Sequence, residues 1–498
     1  MSLKRVAKTL AASFSGQGLN VLAQLLLPPI FLRHYSVSGY GEWLTLSATV
    51  GYLGTLNFGL QTYANNQVAI CYHRGDLDEA RTIQATALVL LLGVVGATAL
   101  ITAVVFLVPI NQWLGLKASH MVVSTTIYLL GLQVLLKMIY GFLVGTFLVV
   151  GISYRGQHWN NAQMLVTTLA TAAQATCNAS FSWIAAQQLI TTLTFSLIVL
   201  IDLRIKAAPV FPRLRHLDPK RFGAVLEPSG YFGMLFCANF LVYQLPVILM
   251  QRILGPTAVV VFSLTRTIYS MARQGLAILS QAIGPEINEL YAQRNWSRLF
   301  RLYELSERVV FALTPIATIG TMLATPVLMT VWLHKPSLYD PAVCIVMGLI
   351  SGIMGVKEHK YIFQTSSNEH PELARLTFWS YLVMVVLAVP AVRWFGILGF
   401  SATWFATEIY QTLSILRLNL RLFSGTALLD FSPVYKLFAL MIAATLLGSW
   451  FAFAAPHRTW LQELLTALTF AIVLAAISYP LFGLSEVRRD LRVRFGLA

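Results

Sequence analysis

Fourteen runs of mostly apolar residues, each long enough to cross a bilayer, follow one another along this chain. A helix needs about 20 such residues to span a hydrocarbon core about 30 Å thick. The runs fall at roughly 10–32, 43–63, 83–108, 121–150, 162–178, 182–203, 227–250, 258–283, 305–332, 341–363, 375–394, 397–418, 434–455 and 462–483. The fifth is the most polar, rich in Ala and Thr and carrying Gln174. Lipid offers the backbone no hydrogen-bond partner, so runs of this length must satisfy their own N–H and C=O groups as helices. Composition agrees: 57% of the 498 residues are hydrophobic and 11% charged, against about 25% charged in soluble domains. The expected fold is an all-α, polytopic integral membrane protein.

The charges sit in the gaps. With the N-terminus inside, 21 of the 35 Lys and Arg residues fall on cytoplasmic segments and 6 on the opposite loops, the remainder lying in or at the ends of spans. Basic residues are retained on the cytoplasmic side, so the asymmetry predicts N-in and C-in with an even number of spans. A formal net charge of +15 could suit nucleic acid, but no polar domain gathers it, and no nucleic-acid partner is expected. The first run is longer than the apolar part of a secretory signal and no small-x-small cleavage site follows it, so it is read as a spanning helix. Cys71, Cys177, Cys237 and Cys344 lie far apart in sequence; no metal or redox motif exists, and they are read as packing residues.

The longest gap, 204–226, holds Pro209, Pro212 and Pro219 near the middle of the chain. Basic residues recur on either side of it at a nearly constant offset. Arg33 and Arg252 are separated by 219 residues, and Arg74 and Arg294, Arg81 and Arg301, and Lys137 and Lys357 by 220. Six spans intervene, an even number, so the repeats are parallel with their axis along the membrane normal. The expected organisation is a six-helix lobe over 1–203, a cytoplasmic linker over 204–226 and a second six-helix lobe over 227–420. Two accessory spans and a basic tail follow over 421–498. Two such lobes around a central cavity suit an alternating-access carrier.

The basic residues that carry the repeat also stand in recognisable motifs. Arg33-His34-Tyr35 with Gly39-Tyr40-Gly41-Glu42-Trp43, then Leu56-Asn57-Phe58-Gly59-Leu60 and Arg74-Gly75-Asp76, resembles the N-terminal signature of the polysaccharide-exporting flippases. Arg252-Ile253-Leu254-Gly255-Pro256, Val261 to Arg266, and Gly284-Pro285-Glu286 resemble that family's second-lobe signature. These are the O-antigen and exopolysaccharide flippases of the multidrug, oligosaccharidyl-lipid and polysaccharide exporter superfamily, and the resemblance covers roughly residues 5–420. It implies fourteen spans and alternating access in a bacterial inner membrane. The implied substrate is an undecaprenyl-pyrophosphate-linked oligosaccharide for surface polysaccharide or lipopolysaccharide synthesis. A bilayer, the lipid-linked saccharide and polysaccharide-assembly proteins are the implied partners of a monomer.

A charge near the bilayer centre costs at least ~3 kcal/mol, so it usually faces a cavity or a partner. Arg266 and Arg273 in the eighth run are seven residues apart, about two helical turns, and share one face with Ser270. A planar guanidinium fits the oxygens of a pyrophosphate, which makes these two the leading substrate-binding candidates; the bland alternative is pairing or snorkelling. Lys137 and Lys357, repeat mates, are expected on opposite walls of the same cationic cavity. Beside Lys357 stand Glu358, His359 and Lys360; Lys360 is expected to snorkel to the cytoplasmic interface, and His359 with Glu358 could relay protons. Glu408, the most central acid, reads either as a site for a coupling H⁺ or Na⁺ or as a counter-ion for Arg266 or Arg273.

Uncharged polar residues form two stripes: Gln17, Asn20 and Gln24 in the first run, and Asn57, Gln61 and Asn65 in the second. They could meet sugar hydroxyls or hold helices together. Pro28 and Pro29 are expected to bend the first span. Asp76-Leu77-Asp78 reads as a helix cap rather than a glycosyltransferase DxD. Asn178-Ala179-Ser180 and Asn295-Trp296-Ser297 are chance sequons. No Gly-x4-Gly-Lys-Ser/Thr loop is present, so ATP bound to this chain cannot drive transport; no cofactor is expected, H⁺ or Na⁺ coupling aside. A multidrug or small-solute antiporter would favour a carboxylate-rich cavity. A membrane glycosyltransferase or O-antigen ligase would need a sizeable outside loop, and none here exceeds about a dozen residues. The chain is therefore read as a carrier, not an enzyme.

Overall fold

The computed structural model describes residues 3–57, 60–366, 370–423 and 431–494, and every regular element among them is helical. In chain order these are α1 (Leu3–His34), α2 (Val37–Thr49), α3 (Leu60–Arg74), α4 (Leu77–Thr102), α5 (Ile110–Leu114), α6 (His120–Val149), α7 (Ser153–Thr176), α8 (Phe181–Lys206) and α9 (Phe222–Tyr243). Then follow α10 (Leu245–Leu254), α11 (Pro256–Ala282), α12 (Gly284–Ala292), α13 (Trp296–Val327), α14 (Pro341–Ser366), α15 (His370–Leu422), α16 (Ser432–Ala454), α17 (Trp460–Leu481) and α18 (Leu484–Arg494). Among the described residues, nine helices are long and apolar enough to cross a membrane. The protein is an all-α, polytopic membrane protein.

Several expected spans are not single helices. The second is divided into α2, a 3₁₀ stretch over Val50–Asn57, and α3. The eleventh and twelfth both lie within α15, where Gly396 (φ 60°, ψ −141°) interrupts the helix. That φ is open to glycine and costly for residues with a Cβ. Contacts between Tyr381 and Glu408 and between Ser380 and Gln411 show the two halves of α15 folded back on each other about this glycine.

The chain forms two compact units, Met1–Val259 and Val260–Ala498. In the first, α6 packs along α8, and α1 along α7. A Cβ on Gly145 of α6 would lie 1.9 Å from Asn65 Nδ2 of α3, so the glycine leaves room for this side chain, in the manner of membrane helices with small residues at their contacts. Much of the interior bonding joins neutral groups: Gln84 Nε2 donates to Thr146 Oγ1 at 2.7 Å, and Gln133 and Gln163 both donate to Thr192 Oγ1. Arg155 grips Asp202 through two bonds of 2.6 and 2.7 Å, and Trp159 Nε1 adds a third. The stretch after α8 lies against α4, with Arg81 Nε donating to the Pro209 carbonyl at 2.8 Å and Val210 fully buried.

In the second unit α13 packs against α14, α16 and α17, and α14 packs along α15. One turn recurs between the two units. The positive-φ residues Gly75 and Arg294 each precede an N-cap, Asp76 and Asn295, which accepts from a backbone N–H three residues on. The N–H of Asp76 bonds the Cys71 carbonyl and that of Asn295 the Leu290 carbonyl, so the same turn returns at the 219-residue spacing. Asp76 is the helix cap expected of it.

Candidate functional site

One turn of α14 carries Lys357, Glu358, His359 and Lys360, which face three neighbouring helices: Lys357 α15, Glu358 α11, and His359 and Lys360 α13. Helical side chains advance about 100° per residue, so a run of four polar residues necessarily faces all round the helix. In a membrane such a helix is tolerated only where protein surrounds it.

Lys357, 7% exposed, faces α15. Its Nζ lies 2.5 Å from Glu408 Oε2 and donates to Tyr381 Oη and Gln411 Oε1, both at 2.9 Å. Glu408 is fully buried, and its Oε1 accepts from Tyr381 Oη at 2.7 Å and Trp404 Nε1 at 2.9 Å. Glu408 is thus a counter-ion, but to Lys357, and not to the arginines for which the sequence offered it. Lys360 does not snorkel. It is 2% exposed, ion-paired with Glu307 of α13, bonded to Tyr303 Oη at 2.9 Å and set over the Tyr303 and Phe311 rings. An ammonium with a carboxylate, a hydroxyl and two ring faces has no need of the interface. His359 turns away from Glu358, its Nε2 meeting Ser306 Oγ at 2.8 Å.

Glu358 faces α11 and pairs with Arg273. Both remain partly open, with 16% of the Arg273 side chain and 26% of that of Glu358 exposed. Arg266, two turns earlier on the same helix, is half-buried with its guanidinium 5.1 Å from the centre of the Phe262 ring. Ser270, between them, bonds back to the Thr267 carbonyl. The two arginines therefore belong to the same unit as Lys357, Glu358 and Glu408.

The other candidates lie in the first unit. Lys137 of α6 is exposed and makes no ion pair among the described residues. Gln61 and Asn65 lie against Gly141 and Gly145 of α6, a helix contact; the side chain of Asn57 lies outside the described residues. On α1, Gln17 is exposed while Asn20 and Gln24 are half-buried; Pro28 and Pro29 lie inside the helix, which continues to His34. Among the described residues no three His, Cys, Asp or Glu side chains are grouped to hold a metal ion.

Sequence reasoning did not single out Glu307, Tyr303, Tyr381, Trp404 or Gln411. An acid near the start of the ninth run was the one available signal for Glu307; the others look like ordinary span residues.

No family profile and no curated protein sequence matches the chain, but its fold is found among solved structures. A lipid II flippase, MurJ, in an inward closed conformation aligns with TM-score 0.69 at 10% identity, covering 95% of this chain and 98% of its own. An inward-facing multidrug resistance MATE transporter of the MOP superfamily aligns with TM-score 0.66 at 16% identity, covering 83% and 96%. A MOP superfamily transporter from Pyrococcus furiosus, described as having a binding pocket of reversed polarity, aligns with TM-score 0.53 at 14% identity, covering 92% and 97%. The chain shares the fold of these transporters and of this flippase.

Proposed function

We propose that the chain is a flippase that carries a lipid-linked oligosaccharide across the bacterial inner membrane by alternating access, with Arg266 and Arg273 receiving the pyrophosphate. The observation that carries this reading is the state of Arg273. It is a permanent cation, two turns from a second arginine on one helix face, held by a carboxylate yet still partly open. A buried guanidinium meant only for structure is expected to be closed on all sides, as the Lys360 ammonium is. A forked donor recognises phosphate oxygens in pairs. The likeness to a lipid II flippase supports a lipid-linked cargo, and the motifs resembling polysaccharide exporters support a saccharide destined for the cell surface. The working topology is N-in, C-in, with a monomer coupled to H⁺ or Na⁺ and polysaccharide-assembly proteins as neighbours.

A second reading, export of cationic drugs, draws on the MATE structures among the fold's relatives and on the exposed part of Glu358. The two separate in one assay. Proteoliposomes are loaded either with a fluorescent undecaprenyl-pyrophosphate disaccharide or with ethidium, a lipophilic cation. The flippase reading expects translocation of the former, lost in Arg273→Ala. Ethidium transport with no movement of the lipid would replace it by the drug exporter.

A further inference from the structure

Three ion pairs share one turn of α14, and they are not built alike. Both oxygens of Glu408 are contacted, Oε1 by Tyr381 and Trp404 and Oε2 by the Lys357 ammonium. Lys360 and Glu307 are closed in, at 2% and 8% side-chain exposure, with Tyr303 completing the ammonium's shell. Glu358 meets Arg273 through Oε1 alone. Its second oxygen, Oε2, is buried and accepts no hydrogen bond among the described residues; Glu408 Oε2 accepts none either, but lies 2.5 Å from the Lys357 ammonium. The least complete of the three pairs is also the most open.

A buried carboxylate oxygen without a donor keeps its desolvation cost and gains nothing in return. A phosphate group offers the same guanidinium several oxygens and can take both prongs of the fork. Exchange of Glu358 for phosphate therefore trades an incompletely bonded carboxylate for a ligand with several oxygens. Such a carboxylate also has a use when no cargo is bound. A bare arginine inside a membrane protein is costly, and an empty carrier must still complete its cycle. A resident counter-ion keeps the site neutral until an anion arrives, and reclaims the arginine when it leaves.

We propose that Glu358 is a displaceable counter-ion of the anion site. It occupies Arg273 in the empty carrier, is expelled by a phosphate ester, and by competing for the guanidinium sets how tightly the anion is held. This rests on the reading of Arg273 as a phosphate ligand, and it adds a residue of the opposite charge that lowers affinity. Lys357 and Lys360, adjacent on the same turn, keep their own carboxylates throughout.

The test is equilibrium binding of farnesyl pyrophosphate to the full chain in nanodiscs of neutral lipid, with farnesol as the uncharged control. Glu358→Gln keeps the shape and removes the competing charge. Its affinity for the pyrophosphate should rise by roughly ten-fold, the worth of one charge-assisted hydrogen bond in the competing pair, while farnesol binding stays unchanged. Glu358→Asp, which keeps the charge on a shorter stem, should tighten binding less. Arg273→Ala should lose the probe, and adding Glu358→Gln to it should bring no gain. Unchanged or weaker binding by both Glu358 variants, with Arg273→Ala still losing the probe, overturns the displacement and leaves the anion site standing. Failure of every form to bind the probe above the farnesol control overturns both.

Discussion

The interiors of the two compact units differ in kind. The first is held by neutral groups: Gln84 with Thr146, Gln133 and Gln163 with Thr192, and glycines that bring α3 and α6 close. Its ion pairs among the described residues lie at helix ends: Arg155 with Asp202, in the first turn of α7 and the last turns of α8, and Arg81 with Asp78, in the first turns of α4. The second unit places three ion pairs on a single turn of α14, inside the helix rather than at its end. Neutral side-chain hydrogen bonds are sufficient to assemble membrane helices, at ~0.6 kcal/mol each on average. Buried ion pairs add little net stability over apolar residues of the same size, yet breaking one by halves is costly. The first unit also buries carboxylates, Glu42 and Asp202, but among the described residues it gathers no comparable cluster on one helical turn, so the concentration of ion pairs in the second calls for a functional account.

The contrast is most easily broken at Glu408. Glu408→Gln leaves Lys357 buried with neutral partners, and the loss should reach about 3–5 kcal/mol, seen as a marked fall in membrane abundance and in melting temperature. Lys357→Met combined with Glu408→Gln should recover most of it. A single mutant as stable as the parent would mean that the second unit is not held as described.

At the helix ends of the first unit the same operation should cost less. Arg155→Ala should destabilise by about 1.5–3 kcal/mol, the range for hydrogen bonds to charged groups, because 36% of its side chain is already exposed. A loss equal to that of Glu408→Gln would erase the distinction between the units.

The smallest effect belongs to the neutral network. Thr146→Val removes the acceptor of Gln84 and should lower stability by about 1 kcal/mol, with transport unchanged. Melting temperatures of the three purified variants, taken under one set of conditions, give the ranking directly.

Much of the fold was legible because the membrane enforces a simple rule: apolar runs of span length must be helices. The break between the eleventh and twelfth runs was visible as the gap between 394 and 397, and the hairpin turns at Gly396 within it. The face shared by Arg266 and Arg273 followed from a spacing of seven. The partners did not follow. Glu408 meets Lys357 because α15 folds back at Gly396 and presents Tyr381, Glu408 and Gln411 together to α14, a register that no local pattern encodes. Lys360 looked like a snorkelling residue because Glu307, its partner, is 53 positions away on another helix. The second polar stripe was legible as a stripe, but not that Gln61 and Asn65 would lie against Gly141 and Gly145 of α6. In a membrane protein periodicity reveals a face, while the neighbour that covers it is set by tertiary packing.

Orientation can be fixed independently of chemistry. Single cysteines at Lys117 and at Arg213, in a background lacking the four native ones, should divide under a membrane-impermeant thiol reagent applied from outside: 117 labelled, 213 protected. The reverse pattern would invert the topology and with it the direction in which the arginines meet their cargo.

The central claim is that the partly open guanidinium of Arg273 binds the anionic group of the cargo. Translocation of undecaprenyl-pyrophosphate disaccharide in proteoliposomes, normalised to reconstituted protein, tests it with Arg266→Ala, Arg273→Ala and Arg273→Lys. Both alanine variants should lose transport by more than roughly ten-fold, as expected when a charge-assisted contact worth over about 1.4 kcal/mol is removed. Both should keep near-parental abundance, and Arg273→Lys should retain part of the activity, since the charge remains while the fork is lost. Parental rates in both alanine variants would contradict the claim.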